Sequence, residues 1–322
     1  MTELERRYLR LLWAYPAEYR RARGAEIVGT YLDLADPGRR RPSLADAADL
    51  VRGGLRERLR AAGVTDLLPG VRLAAALAFL AATALAGFWA VPELHPPASE
   101  FGLQPVGPFA SLGMAAWAAW LLAAVGYALT PPRWARPLLW LAVAVTALIL
   151  PVSAATGLSR PPLFVLAPQL ALGVVALGLP PRAPAPARLI PLATAVGAVA
   201  FAALPVPYVL LVGYRDVWTF DIPVAVGVVL LLVATAVAIR PGRRWDFRGG
   251  WALLILSTPI GLLVVHELAR SVERNPTWTT LAATATAVGL LGPALLAAAL
   301  TFRLHMSPRR ATHSCPDCGA AH

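Results

Sequence analysis

Residues 71–91 read VRLAAALAFLAATALAGFWAV, and their reading decides the fold. After Arg72 the stretch holds no ionisable side chain. A helix rising ~1.5 Å per residue needs about 20 such residues to cross the ~30 Å hydrocarbon core of a bilayer. The stretch is therefore expected to be a transmembrane helix. Seven more apolar runs follow, at 109–130, 138–156, 163–180, 189–213, 222–239, 249–266 and 279–302, separated by short breaks rich in Pro and Arg. Pro205 and Pro207 leave the end of the fifth the least defined. The expected fold class is all-α: a polytopic bundle of about eight transmembrane helices over residues 69–303.

The composition points the same way. The 322 residues are 57% hydrophobic, with a mean hydropathy of +0.61. Charged residues make up 15%, against about 25% in ordinary soluble domains. That excludes a soluble globular enzyme, a disordered chain and a disulfide-rich secreted module. The net charge is +11, and all 29 cations are arginines. Met1 to Arg10 are polar and charged, so a cleavable secretory signal is not expected. The first span is expected to serve as an uncleaved membrane signal.

Arginine placement sets the threading. With the N-terminus inside, the inner connections and tail hold Arg133, Arg136, Arg182, Arg188, Arg240, Arg243, Arg244, Arg248, Arg303, Arg309 and Arg310. The outer connections hold only Arg160, Arg215, Arg270 and Arg274. Positive charge is retained on the cytoplasmic side, so eleven against four predicts both termini cytoplasmic in a multi-pass protein of the cell membrane. Trp89, Trp218 and Trp278 fall at outer span ends, and Trp134, Trp140, Trp245 and Trp251 near inner ones, where an indole suits the headgroup level. Trp117 and Trp120 fall mid-span and are expected to pack against neighbouring helices.

Residues 1–68 alone read as water-soluble, a small cytoplasmic helical domain. Thr2 and Glu5 fit a capping box, and Leu4, Tyr8, Leu11, Leu12 and Tyr15 follow at helical spacing until Pro16. A second helix is expected from Ala17 to Ala35, with Tyr19, Ile27, Tyr31 and Leu34 apolar, before the turn signal Asp36-Pro37-Gly38. A third starts at Ser43, with Leu44, Ala47, Val51, Leu55 and Leu59 on one face and Arg52, Arg56 and Arg60 opposite much of it. That arginine row is either a solvated face or a contact with a lipid surface.

Tyr15, Pro16, Tyr19, Arg20, Gly24 and Glu26 form the pattern YP..YR...G.E, within about 60 residues of similar layout. This opening segment resembles the HAAS-type signalling and permease-prefix domains that precede multi-pass membrane proteins of high-GC bacteria. The resemblance does not extend into the spans. It implies a cytoplasmic regulatory or protein-contact module and brings no catalytic residues.

Chemistry-bearing motifs are few. The clearest strongly polar side chain at membrane depth is Gln169, expected to hydrogen-bond a neighbouring helix. Pro151, Pro168, Pro191, Pro205, Pro207, Pro259 and Pro293 lie inside spans, where they either kink helices or line a binding site. Ala115, Ala119 and Ala123 repeat at a spacing that favours close helix packing. His266-Glu267 lacks the second histidine of a zinc-protease motif, since Arg270 occupies its place. Glu93 and His95 are too few for a metal centre, and Gly24 and Gly29 precede Thr30 without a P-loop lysine. The tail, residues 304–322, carries His313, Cys315, Cys318 and His322 as H-x-C-x-x-C-x-x-x-H. Two thiolates at Cys-x-x-Cys spacing with two imidazoles can complete a tetrahedral Zn²⁺ site. The same residues also read as a reduced tail or a redox pair.

The expected function is that of a non-enzymatic membrane regulator or accessory protein. Its partners would be the bilayer and a cytoplasmic protein or a second copy, with no nucleic acid. The alternative is a permease or exporter of an uncharged or lipid-like substrate, and a lipid-directed enzyme ranks below both for want of an acid–base cluster.

Overall fold

A computed structural model describes residues 2–35, 39, 41–61, 67–94, 106–180, 184–204, 218–239, 248–274 and 276–306. Among them the chain forms twelve α-helices and no strand. They are α1 (Glu3–Leu11), α2 (Ala17–Asp33), α3 (Leu44–Ala61), α4 (Leu67–Glu93), α5 (Gly113–Leu129), α6 (Pro132–Thr156), α7 (Leu163–Ala176), α8 (Ala185–Ala202), α9 (Trp218–Ile239), α10 (Arg248–Leu263), α11 (Val265–Val272) and α12 (Trp278–Met306). They fall into two compact units, one of Met1–Thr65 with the stretch from Ala297 onward, the other of Asp66–Leu296.

In the first unit, α1 opens on the capping box. Thr2 Oγ1 accepts from the Glu5 amide at 3.2 Å, and the Thr2 amide donates to Glu5 Oε2 at 3.1 Å. Each bond satisfies an amide that the first helical turn leaves free. A 3₁₀ turn over Leu12–Ala14 ends the helix before Pro16. Leu4, Tyr8, Leu12 and Tyr15 turn inward and meet Val28 of α2 and Leu50 of α3.

Helix α3 starts on a second reciprocal cap. The Ser43 amide donates to Asp46 Oδ2 at 3.1 Å, and the Asp46 amide donates to Ser43 Oγ at 3.0 Å. The face of α3 that is buried differs from the expected one. Leu50 and Gly54 are buried, while Leu44, Val51 and Leu55 are exposed; the side chain of Leu59 lies outside the described residues. The cause is close approach. A Cβ on Gly54 would stand 2.6 Å from both the carbonyl carbon and Cβ of Ala14, so only a bare backbone lets α3 seat there. Arg58 then fastens the contact by donating to the carbonyls of Ala14 and Trp13 at 2.6 and 2.5 Å. Leu34, expected on the apolar face of α2, is likewise exposed, beyond the last residue of that helix.

The second unit is organised around α4, which packs against α5, α7, α8, α9 and α10. Its alanines make this possible. Ala74, Ala78, Ala82 and Ala86 are fully buried, and small side chains let helix backbones come together. Polar groups are satisfied across the bundle. Thr83 Oγ1 donates to the Phe79 and Leu80 carbonyls and reaches the Pro191 carbonyl of α8 at 3.3 Å. Trp117 and Trp120 are fully buried, and Trp120 Nε1 donates to Thr146 Oγ1 of α6 at 3.0 Å. Trp134, Trp140 and Trp278 are exposed, whereas Trp89 and Trp251, expected at the membrane–water boundary, turn into the bundle.

Among the described residues, three helices are long and apolar enough to cross a membrane: Leu67–Glu93, Arg133–Thr156 and Trp278–Phe302. A fourth is obtained if α10 and α11, bent by 67° at their break, count as one span. The remaining apolar helices, over Gly113–Leu129, Leu163–Ala176, Pro186–Ala202 and Ile222–Ala236, are shorter. Pro205 and Pro207 lie outside the described residues.

Candidate functional site

The face of the first unit between α1 and α2 carries an open groove of about 650 Å³. Leu9, Leu12 and Trp13 form one wall; Gly24, Val28, Gly29 and Leu32 of α2 form the floor and the other wall. The two glycines keep the floor low. A Cβ on Gly24 would just touch Leu12 Cδ1 at 3.4 Å, and one on Gly29 would meet nothing within 4 Å. Arg20, Arg21 and Glu5 stand at the rim. The Arg20 guanidinium lies over the Trp13 ring, 4.4 Å from its centroid, which holds a two-thirds exposed indole in place through a cation–π contact. An apolar trough with a charged edge is the form that receives the apolar face of an amphipathic helix.

Of the six residues in the YP..YR...G.E pattern, Arg20 and Gly24 line this groove. Tyr15 is buried and its ring stacks on Tyr19 at 5.4 Å. Pro16 opens α2, Arg20 supports Trp13, and Gly24 is part of the floor. Glu26 is exposed and pairs with Arg23 at 4.0 Å.

Beneath the groove, tyrosine–aspartate pairs hold α3 in place. Tyr8 OH donates to Asp46 Oδ2 at 3.0 Å and Tyr31 OH to Asp49 Oδ2 at 2.6 Å, with the two rings 5.5 Å apart. Burial, then the carboxylate each donates to, raises the phenol pKa of Tyr8 and Tyr31 above 10.0. Burial also raises that of Tyr15. The hydroxyl and amide of Ser43 hold the Asp46 carboxyl below its ordinary value, with Tyr8 and Arg39 adding to the effect.

In the second unit Gln169 is buried, as expected of a residue bonding a neighbouring helix. Its Nε2 donates to the Ala82 carbonyl of α4 at 3.1 Å, and its Oε1 has no hydrogen-bond partner. Two residues read from sequence only as loop charges prove structural. Glu93 is fully buried at the end of α4, where it accepts from the Ser111 amide at 2.7 Å and the Ser111 hydroxyl at 2.5 Å. Arg188 donates to the carbonyls of Tyr127, at 2.8 Å, and Thr130, so a cation closes the C-terminal end of α5. The one sequence signal for Glu93 is a carboxylate ending a 27-residue apolar helix.

His313, Cys315, Cys318 and His322 lie outside the described residues, and among the described residues no three His, Cys, Asp or Glu side chains cluster as metal ligands would. At the α10–α11 break a crevice of about 10 Å³, room for one water, is lined by Phe164, Pro223, Leu263 and His266. Compared with protein-family models, with curated proteins and with solved structures, the chain gives no match.

Proposed function

We propose that the chain is a multi-pass membrane protein of the regulatory or accessory kind. In this reading it crosses the bilayer eight times with both ends in the cytoplasm. It is not an enzyme, and its N-terminal helical unit takes a segment of a partner protein into the groove between α1 and α2. The groove carries the reading: a preformed apolar trough of about 650 Å³ whose glycine floor leaves space for another chain. The rim arginines favour a partner helix with acidic flanks. Support for the membrane arrangement comes from the helices long and apolar enough to cross, and from the uneven distribution of arginine along the sequence.

The test uses the full chain in its own cells, with a photo-crosslinking amino acid at Leu9, on the groove wall. A protein adduct at Leu9 is expected, and Gly29→Trp should abolish it, because a side chain there enters open space without displacing the fold. An adduct that survives Gly29→Trp would refute the groove as the contact.

A second reading, a permease for an uncharged or lipid-like substrate, is favoured by the 67° break between α10 and α11, since transporters build binding sites at broken helices. Reconstituted vesicles offered a broad panel of such compounds should then show uptake above that of protein-free vesicles. Equal leakage with and without the protein would remove this reading.

A further inference from the structure

Helix α3 has three faces, and the groove reading uses none of the outward two. Leu50 and Gly54 face the core. Next around the helix, Leu44, Ala48, Val51 and Leu55 make an exposed apolar stripe at spacings of four, three and four, and Leu44 is 92% exposed. Beside that stripe Arg52, Arg56 and Arg60 form a ladder every four residues. Arg52 and Arg56 are exposed and make no ion pair among the described residues, while Arg60 pairs with Glu57 of its own helix at 2.7 Å. Only residues 62–66 separate the end of α3 from the start of α4, a helix long and apolar enough to span a bilayer. The six residue-to-residue steps from Ala61 to Leu67 reach about 22 Å at most, so the chain itself keeps the end of α3 near the leaflet that α4 enters.

We infer that α3 is an interfacial helix: its Leu44–Val51–Leu55 stripe lies in the headgroup region of an anionic phospholipid surface, with Arg52, Arg56 and Arg60 on the lipid phosphates. An apolar stripe bordered by cations is the pattern by which amphipathic helices lie in a membrane interface. Each arginine near an anionic surface strengthens binding about fivefold. A second copy of the chain fits this face less well, because pairing α3 with itself antiparallel about the stripe would bring the two arginine ladders together. The inference requires only that α4 enters a bilayer, and stands whether or not the groove takes a partner.

The test is site-directed spin labelling of the full chain with Cys315 and Cys318 replaced by Ser, reconstituted in vesicles of phosphatidylcholine with or without phosphatidylglycerol. Labels at Val51→Cys and Leu55→Cys occupy exposed positions and leave the core intact. In vesicles with phosphatidylglycerol these labels should be accessible to oxygen and shielded from a water-soluble nickel chelate, and a label at Glu26→Cys, on the exposed side of α2, should show the reverse. Arg52→Gln with Arg56→Gln should return the labels at 51 and 55 to water. Access to nickel at 51 and 55 in both vesicle types would overturn the inference. So would shielding from both reagents, which marks a protein cover, and so would equal lipid contact in phosphatidylcholine alone. Lipid contact at 51 and 55 together with a Leu9 adduct that survives Gly29→Trp would refute the groove and leave this inference standing.

Discussion

Removing the carboxylate of Glu93 tests the reading of the α4–α5 connection most sharply. Glu93 is fully buried, and both oxygens are engaged by Ser111, whose amide and hydroxyl donate at 2.7 and 2.5 Å. The clasp is reinforced from both sides. The Ala110 amide donates to the Glu93 carbonyl at 2.9 Å, and the Gly113 amide donates to Ser111 Oγ at 3.0 Å, which seats the start of α5. In Glu93→Ala the Ser111 amide loses its acceptor inside the protein, at about 1–3 kcal/mol for a buried unsatisfied donor. The hydroxyl can rotate, so its loss is counted at about 1 kcal/mol, and the vacated side-chain volume adds about 1 kcal/mol more. Relief from holding a buried carboxylate offsets part of this, leaving a net loss of about 2–4 kcal/mol. That should lower protection of the Ser111 amide in hydrogen exchange by about thirty- to a thousandfold. Glu93→Gln keeps one acceptor oxygen but turns an NH₂ toward a donor, so its loss should fall between those of Glu93→Ala and the native chain. A double-mutant cycle with Ser111→Ala should show coupling of at least ~1 kcal/mol. Unchanged exchange at Ser111 in Glu93→Ala, together with an additive cycle, would refute the clasp.

Three further outcomes are expected. Gly54→Ala should destabilise the N-terminal unit by about 1–2 kcal/mol, since the clash with Ala14 outweighs the gain in helix propensity. Gly29→Ala, which meets nothing, should stabilise it by about 0.5–1 kcal/mol, and pulse proteolysis of the full chain compares the two. The N-terminal unit should lose stability at both pH extremes. The Tyr31 pKa is raised in the fold, so its contribution is whole below the unfolded value of 10.0 and is lost as pH climbs through the folded one. The Asp46 value is lowered, so its contribution is present above 3.8 and is lost as pH falls through the folded value. Tyr31→Phe should flatten the alkaline limb alone, as read by exchange of the α3 amides. Metal analysis of the purified protein before and after Cys315→Ser decides between a zinc site in the tail and a reduced or redox pair: zinc lost in the variant supports the site. Equal zinc in both would exclude the tail site.

Much of the helical plan was legible in the sequence because it rests on local rules. The Thr2–Glu5 and Ser43–Asp46 caps join residues three apart, and both form. Among the described residues the apolar stretches fall on helices, the seventh divided between α10 and α11, because long apolar runs have few other ways to satisfy their backbone. The candidate site was legible in part. Arg20 and Gly24 of the YP..YR...G.E pattern line the groove, yet the groove itself depends on Leu12 meeting Gly24 from another helix.

By itself, then, the sequence determined that the described chain is helical, where the three helices of the N-terminal unit start, and which stretches are apolar. Only the tertiary structure decided which side of each helix is inside. Helix α3 offered two apolar faces, and hydropathy counts them alike. Gly54 against Ala14 and Tyr8 bonded to Asp46, 38 residues away, selected the face with Leu50. The same holds for Trp89 and Trp251, which turn inward, and for Glu93 and Arg188, whose partners lie 18 and about 60 residues along the chain. Close approach and hydrogen bonding are settled between surfaces, and a surface exists only once distant segments have met.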